Sequence, residues 1–116
     1  MRVASLAVVT HAESFDALMA EQPEDWSFFE VFVTLDDAVR LAEARVALAR
    51  ANARPVKGPG EVDFEITVAN TWGRGARVGV VRSALRVLDE LGITGRTWGG
   101  RTTTAVRPHP AHRYGP

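Results

Sequence analysis

Residues 62–68 alternate strictly between apolar and polar side chains, and this alternation restricts the fold more than any other feature of the chain. The apolar members all point to one side of an extended strand: Val62, Phe64, Ile66 and Val68. Residues 27–35 repeat the alternation with a second apolar set: Phe29, Val31, Val33 and Leu35. Fully parallel sheets are covered on both faces, and their strands are apolar on both sides. These two strands therefore predict a sheet with helices mainly on one face, whose other face is open or packs against a second subunit.

Segments with strand and helix periodicity alternate along the chain. The strands are predicted over residues 2–9, 27–35, 62–68 and 96–106, and the helices over residues 12–22, 36–52 and 76–91. Thr10 is predicted to cap the first helix, Asp36 and Asp37 to begin the second, and Gly92 to end the third. Alternating strands and helices are typical of layered folds with right-handed crossovers. We therefore expect an α/β fold, an α+β two-layer sandwich, with a four-stranded mixed sheet and the element order β-α-β-α-β-α-β.

The composition indicates one domain. The chain has 116 residues, of which 46% are apolar, and this is enough for a buried core. We place the domain at residues 1–106 and a tail with prolines and histidines at residues 107–116. The absence of cysteine excludes disulfides and thiolate metal sites. The apolar run at residues 3–9 is too short for a membrane span and turns polar too early for a signal peptide, so we expect a soluble cytoplasmic protein that binds no membrane.

The two halves of the chain differ in charge although the formal net charge is zero. Residues 1–52 carry a net charge of −5 and residues 53–116 a net charge of +5. Such asymmetry can steer an anionic ligand or promote self-association, and an uneven spread of loop acids explains it equally well. Thirteen of the 14 cations are arginine. Together with the many alanines, this is typical of a GC-rich bacterial genome and weakens the argument that any one arginine was selected for bidentate chemistry.

Two segments share the pattern Thr-Trp-Gly followed by arginine, at residues 71–75 and 97–101. The first follows a strand and opens a helix, where free backbone amides attract an anion. Its glycine spacing is not that of a dinucleotide site, and it has no phosphate-binding lysine. The segment predicts an anion site formed by Trp72, Gly73, Arg74, Gly75 and Arg77, with Trp98 and Arg101 as its wall. The alternative is that the glycines permit a tight turn and the arginines are solvated.

Two arginines interrupt apolar helix faces. Arg77 points along the apolar side of the third helix, in its first turn, and its stem could extend to water. Arg45 projects into the middle of the stripe expected for the second helix, which consists of Ala38, Leu41, Ala42, Val46, Leu48 and Ala49. A buried charge without a partner costs several kcal/mol. Arg45 must therefore pair with an acid, reach water at the domain edge, or lie at a subunit contact.

The residues suited to catalysis form no recognisable set. His11 follows the first strand and could act as a base near neutral pH, although a structural role explains it equally well. His109 and His112 in the tail are flanked by prolines and give poor support for a zinc site. No nucleophile, base and orienting group stand in a visible relation, and we predict no cofactor and no metal.

We therefore expect a cytoplasmic, non-catalytic binding or interaction module. Its partner is a second copy or another protein chain, with an anionic or phosphate-bearing small molecule as a further ligand at residues 72–77. One alternative is a small isomerase, lyase or hydrolase with His11 or a sheet carboxylate such as Glu65 as base. Another is a nucleic-acid accessory protein, which requires a continuous basic stripe through Arg74, Arg77, Arg96, Arg101 and Arg107. The zero net charge and the lack of a nucleic-acid motif disfavour this last alternative.

Overall fold

The computed structural model describes residues 9–57, 61–70 and 74–104, the last range with side chains from residue 77 onward. It contains helices α1 (His11–Ala20), α2 (Leu41–Ala49) and α3 (Arg74–Glu90). The strands are β1 (Trp26–Leu35), β2 (Arg54–Pro55), β3 (Asp63–Ala69) and β4 (Gly95–Thr104). The strand predicted over residues 2–9 lies outside the described residues except for Val9, and the tail at residues 107–116 lies outside them entirely.

The four described strands form one sheet in the order β2-β3-β1-β4, and all three pairings are antiparallel. The expected mixed sheet is therefore wrong for the described strands. Because β3 and β4 both run antiparallel to β1, they run parallel to each other, with α3 as the crossover between them. β1 lies between these two strands and splits the βαβ unit. β2 is a two-residue edge strand between α2 and β3, where no strand was predicted.

The core lies between one face of the sheet and the helices, as expected. The sheet contributes the residues that alternate along its strands, namely Phe29, Val31, Val33, Leu35, Phe64, Ile66 and Val68. The helices contribute Phe15, Ala44, Leu48, Val81, Ala84, Leu85 and Leu88. Burying a large apolar side chain stabilises a fold by about 1.5–3 kcal/mol. This one-sided core confirms the α+β arrangement with helices on one face of the sheet.

The helix ends use local signals that the sequence partly revealed. Thr10 forms a capping box with Glu13, in which each side chain bonds the backbone N–H of the other residue. Gly92 has a φ of 74°, and the N–H groups of Gly92 and Ile93 donate to the carbonyls of Asp89 and Leu88. This is a Schellman motif, and it confirms Gly92 as the residue that ends α3.

The second helix differs from its prediction at both the start and the buried face. α2 begins at Leu41, with Arg40 at the N-cap and no side-chain cap, so the prediction that Asp36 and Asp37 begin it is wrong. Its buried residues are Ala44, Ala47 and Leu48. Arg45 instead lies exposed on the outer surface beside Ala42, Val46 and Ala49. Because both sides of α2 carry small apolar residues, the sequence periodicity assigned the wrong set of residues to its buried side. Arg45 is exposed and therefore does not need a partner for a buried charge.

Gly92→Ala should lower the free energy of unfolding by about 1 kcal/mol, because an alanine at positive φ is strained. Gly79→Ala is the matched control on the same helix, since a methyl group there meets no described atom within 4 Å. The control should be neutral or raise stability by up to about 1 kcal/mol. Urea denaturation measures both. Equal effects of the two substitutions would contradict the assigned helix end.

The free energy of unfolding should decrease as the pH is lowered, and part of this decrease should come from Asp16. Arg82 of α3 holds the Asp16 carboxylate of α1 with two bonds of 2.9 Å. Hydrogen bonding from Arg82 lowers the pKa of Asp16, with the charge of Arg82 adding to it and desolvation opposing it. Because the folded pKa is below the unfolded one, the pair stabilises the fold above the unfolded pKa, and this contribution is lost as pH falls through the folded pKa.

The difference in stability between the wild type and Asp16→Asn should therefore be present at pH 7 and shrink as the pH falls below about 4. Both side chains are nearly half exposed, so the difference is small. Asp25→Asn, in the exposed turn before β1, serves as control. If Asp16→Asn changed the free energy of unfolding by the same amount at pH 7 and at pH 2, the contribution assigned to the Asp16–Arg82 pair would be refuted.

Candidate functional site

The face of the sheet opposite the helices is not covered by any element of the described residues. We call this surface the open face. It consists of the side chains of β1, β3 and β4 that alternate with the core residues, together with Arg54 of β2. It includes two large exposed aromatic residues, Phe28 at 49% exposure and Trp98 at 38%. Antiparallel sheets can leave one face to solvent, but such faces are usually polar, so the aromatic residues require an explanation.

An aromatic pair lies at the centre of the open face. The rings of Phe32 and Trp98 stack with centroids 4.6 Å apart. Trp98 Nε1 donates to Thr34 Oγ1 at 3.1 Å, and the Arg96 guanidinium lies 5.2 Å from the Trp98 ring centroid, in cation–π contact. The indole is therefore held in one orientation by three neighbours. Its exposed edge is a rigid apolar surface suited to contact with a partner.

Glycine in β4 makes room for this pair. A methyl group on Gly100 would lie 2.4 Å from Phe32 Cε2, and one on Gly99 would lie 2.8 Å from Phe29 Cζ. The two glycines thus accept an aromatic ring on each face of the sheet. The pairing with β1 shifts register between Phe29 and Val31, next to these two glycines.

The charged residues of the open face balance one another. Its described arginines are Arg54, Arg96 and Arg101, and its described acids are Glu30, Asp63 and Glu65. Two ion pairs form, Arg54–Glu65 and Arg101–Glu30, both at 3.4 Å. Their arginine ends are largely exposed, so each pair contributes about 0–1 kcal/mol. The open face is therefore neutral, with aromatic residues at its centre and both signs of charge around them.

Arg77 contacts the end of a neighbouring helix. Its Nη2 donates to the backbone carbonyl of Ala51, just beyond the C-terminus of α2, at 3.3 Å. Arg40, at the N-cap of α2, donates in return to the carbonyl of Leu91 at the end of α3. Each helix thus satisfies a terminal carbonyl of the other, where a cation also suits the helix dipole. This contact explains an arginine on the apolar side of α3.

The structure does not bring together the residues of the predicted anion site. Trp98 and Arg101 lie on the open face, whereas Arg77 lies among the helices, so the sheet separates them. Trp72 and Gly73 and the side chains at residues 74–76 lie outside the described part, so an anion site at that turn stays a prediction. Arg77 is likewise separated from Arg96 and Arg101, so these three do not form the continuous basic stripe that nucleic-acid binding requires.

His11 is buried, with 4% exposure, and both of its ring nitrogens are occupied. Nε2 lies 3.0 Å from the carbonyl of Ile93 and must carry the proton, because a carbonyl only accepts. Nδ1 then accepts from the Thr97 hydroxyl at 2.7 Å. The ring therefore joins α1 to β4 and to the segment after α3.

Asp89 of α3 completes the same cluster, and it was not among the residues predicted from the sequence. Its carboxylate accepts from the backbone N–H groups of His11 at 2.8 Å and Ala12 at 3.0 Å. An acid supplied from another helix thus caps the N-terminus of α1. The sequence separation of 78 residues leaves no local signal for this contact. The adjoining pocket, of about 110 Å³, has Asp89 and His11 in its lining but no arginine, so it lacks the cation expected of the small enzyme.

Glu65, the alternative base, lies half-buried on the sheet surface and is paired with Arg54. Within the described ranges, no group of three His, Asp or Glu side chains is placed to hold a metal ion. His109 and His112 lie outside those ranges. No helix in the described part of the chain has the length and apolar character needed to cross a membrane.

Comparisons with protein-family models, with curated proteins and with solved structures give no match to this chain. The case for a function therefore rests on the surfaces of the molecule itself.

Thr97→Val should lower the free energy of unfolding by about 1–3 kcal/mol, because it leaves Nδ1 of the buried His11 without its partner. Thr103→Val is the matched control on the exposed part of the same strand and should change stability by no more than about 0.5 kcal/mol. Chemical denaturation measures both. Equal stability of Thr97→Val and the wild type would show that the hydroxyl does not hold the ring.

Proposed function

We propose that this protein is a non-catalytic interaction module that forms a homodimer through its open face. The observation that carries the proposal is the exposed aromatic surface of Phe28 and Trp98, on a sheet face that no described element covers. Phe28 lies two rows along the face from Trp98, with the Glu30–Arg101 ion pair in the row between. Large aromatic side chains are costly to leave in water, and two of them on one face of a soluble protein support a contact site there. The core is complete without this face, so its aromatic residues are not needed to hold the sheet to the helices.

A second copy fits the open face better than a nucleic acid does. In a twofold-symmetric dimer the same patch meets itself, so the patch must be complementary to itself. A neutral surface with equal numbers of acids and arginines around an apolar centre meets this condition. Nucleic acid requires a concentration of positive charge, and here Glu30 and Glu65 neutralise two of the three arginines.

The size of the face predicts a dimer that dissociates on dilution. The seven residues of β3 extend over about 23 Å, and four strands cover a width of about 19 Å, so the face measures roughly 400 Å². Stable interfaces commonly bury about 800 Å² on each partner. We therefore expect association in the micromolar range.

The small-enzyme alternative has less support. The ring of His11 is held between Thr97 and Ile93, and Glu65 lies on the sheet face and not in a cleft.

The absence of cysteine is compatible with function in the reducing cytoplasm, where we place the dimer.

Light scattering over low to high micromolar concentrations should show the mass rising from that of one chain to that of two. Phe28→Glu should remain monomeric over this range, because it replaces an exposed aromatic ring of the open face with a carboxylate that the interface would desolvate. Val46→Glu is the control, since Val46 is 74% exposed on the outer surface of α2, away from the open face. It should dimerise as the wild type does.

Circular dichroism should show that both variants remain folded. A wild-type protein that stays monomeric at high micromolar concentration would refute the proposed function, as would a Phe28→Glu variant that dimerises normally.

A further inference from the structure

The two strands beside β1 carry opposite charges on the open face. The acids Asp63 and Glu65 lie on β3, and the arginines Arg96 and Arg101 lie on β4. β1 runs between these two strands and carries Phe28 and Phe32, with Glu30 between them paired to Arg101. The open face thus has an acidic flank on β3 and a basic flank on β4, and Arg54 of the edge strand β2 lies beyond the acidic flank.

Two of these charges lie level with each other across β1. Thr34 of β1 is the register partner of Asp63 on one side and of Arg96 on the other. The next open-face row contains Glu65, Phe32 and Trp98. Unlike Glu65 and Arg101, neither Asp63 nor Arg96 forms an ion pair with another described residue. Two opposite charges are therefore available at the same height, one strand to either side of the middle.

We propose that the two copies of the dimer are related by a twofold axis that runs parallel to the strands above β1, and that Asp63 of each copy pairs with Arg96 of the other. This inference rests on the proposed function, because it describes how the open faces meet. Rotation about this axis places β3 of one copy over β4 of the other and preserves the height along the strands. The acidic flank then meets the basic flank twice, once on each side of the axis.

The other face-to-face arrangement does not bring Asp63 and Arg96 together. An axis that runs across the strands places β3 over β3 and β4 over β4, so no acid of β3 lies over an arginine of β4. This arrangement therefore gains neither of the two attractive contacts between the flanks, which are the contacts that favour the parallel axis.

The aromatic middle suits the same axis. Above β1, each residue of one copy meets its counterpart, so Phe32 faces Phe32 and Phe28 faces Phe28. The two Glu30 side chains meet in the row between, and each is paired with the Arg101 of its own copy at 3.4 Å. Because Gly100 has no side chain, the Phe32 ring can lie close over β4, against the indole of Trp98. The flat aromatic surface that results lets the two sheets approach each other, and the long side chain of Arg96 can then reach Asp63 of the other copy.

Chemical cross-linking distinguishes the two axes. The chain has no cysteine, so only introduced thiols react. Packed sheets lie about 10 Å apart, which is too far for a disulfide, so the reagent is a short bismaleimide. An equimolar mixture of Asp63→Cys and a tagged Arg96→Cys should give a covalent dimer of one tagged and one untagged chain, and each variant alone should give little product. Efficient self-cross-linking of Asp63→Cys, with no gain in the mixture, would overturn the proposed axis.

Charge reversal gives an independent readout. Asp63→Arg and Arg96→Asp should each weaken self-association at least ~10-fold, because two attractive contacts become repulsive. An equimolar mixture of the two variants should restore dimerisation, and Arg86→Asp, on the exposed side of α3, should leave it unchanged. If the wild type dimerises and Asp63→Arg and Arg96→Asp each self-associate with the same affinity, the proposed axis is refuted but the proposed function is not. A monomeric wild type would instead refute the proposed function.

Discussion

The pairing of β1 on both of its edges is the constraint on which the rest of the structure depends. β1 separates β3 from β4, and α3 can connect those two strands only by crossing over β1. The crossover covers the inner side of the sheet with α3, and Phe29, Val31 and Val33 of β1 become the centre of the core. The residues between them necessarily point to the other face. The position of Phe32 on the open face thus follows from the same alternation that builds the core.

Charged residues in the helical layer serve mainly to complete helix ends. Arg40 and Arg77 each satisfy a terminal carbonyl of the neighbouring helix, and Asp89 satisfies two amides at the start of α1. Backbone groups at helix ends lack partners within their own helix, and burying them without partners is costly. These contacts fix the helices relative to one another. They also engage the side chain of Arg77 inside the protein, whereas the open face presents exposed aromatic and charged side chains to a partner.

Local features of the sequence were sufficient for much of this fold. The alternation at residues 62–68 identified a strand with one buried face, and Thr10 and Gly92 marked helix ends, because each signal depends on neighbouring residues alone. The order of the strands depends on contacts between distant residues, so local periodicity could not predict it. Local periodicity also could not identify the buried side of α2, because this helix carries small apolar residues on two sides. The contact of Asp89 with His11 joins residues 78 positions apart. The face on which Trp98 lies was within reach of the sequence, since Thr97 and Trp98 must point to opposite sides of a strand.

The Thr-Trp-Gly segment at residues 97–101 has a role in packing that its composition does not reveal. In β4 the glycines that follow Trp98 are required by packing, since Gly99 admits the Phe29 ring on the core side and Gly100 admits the Phe32 ring on the open face. A side chain at Gly100 would displace Phe32 and with it the surface against which Trp98 stacks. The shape of the open face is thus fixed by the packing of the sheet itself. A surface built in this way is rigid before a partner arrives, and association then loses little side-chain entropy.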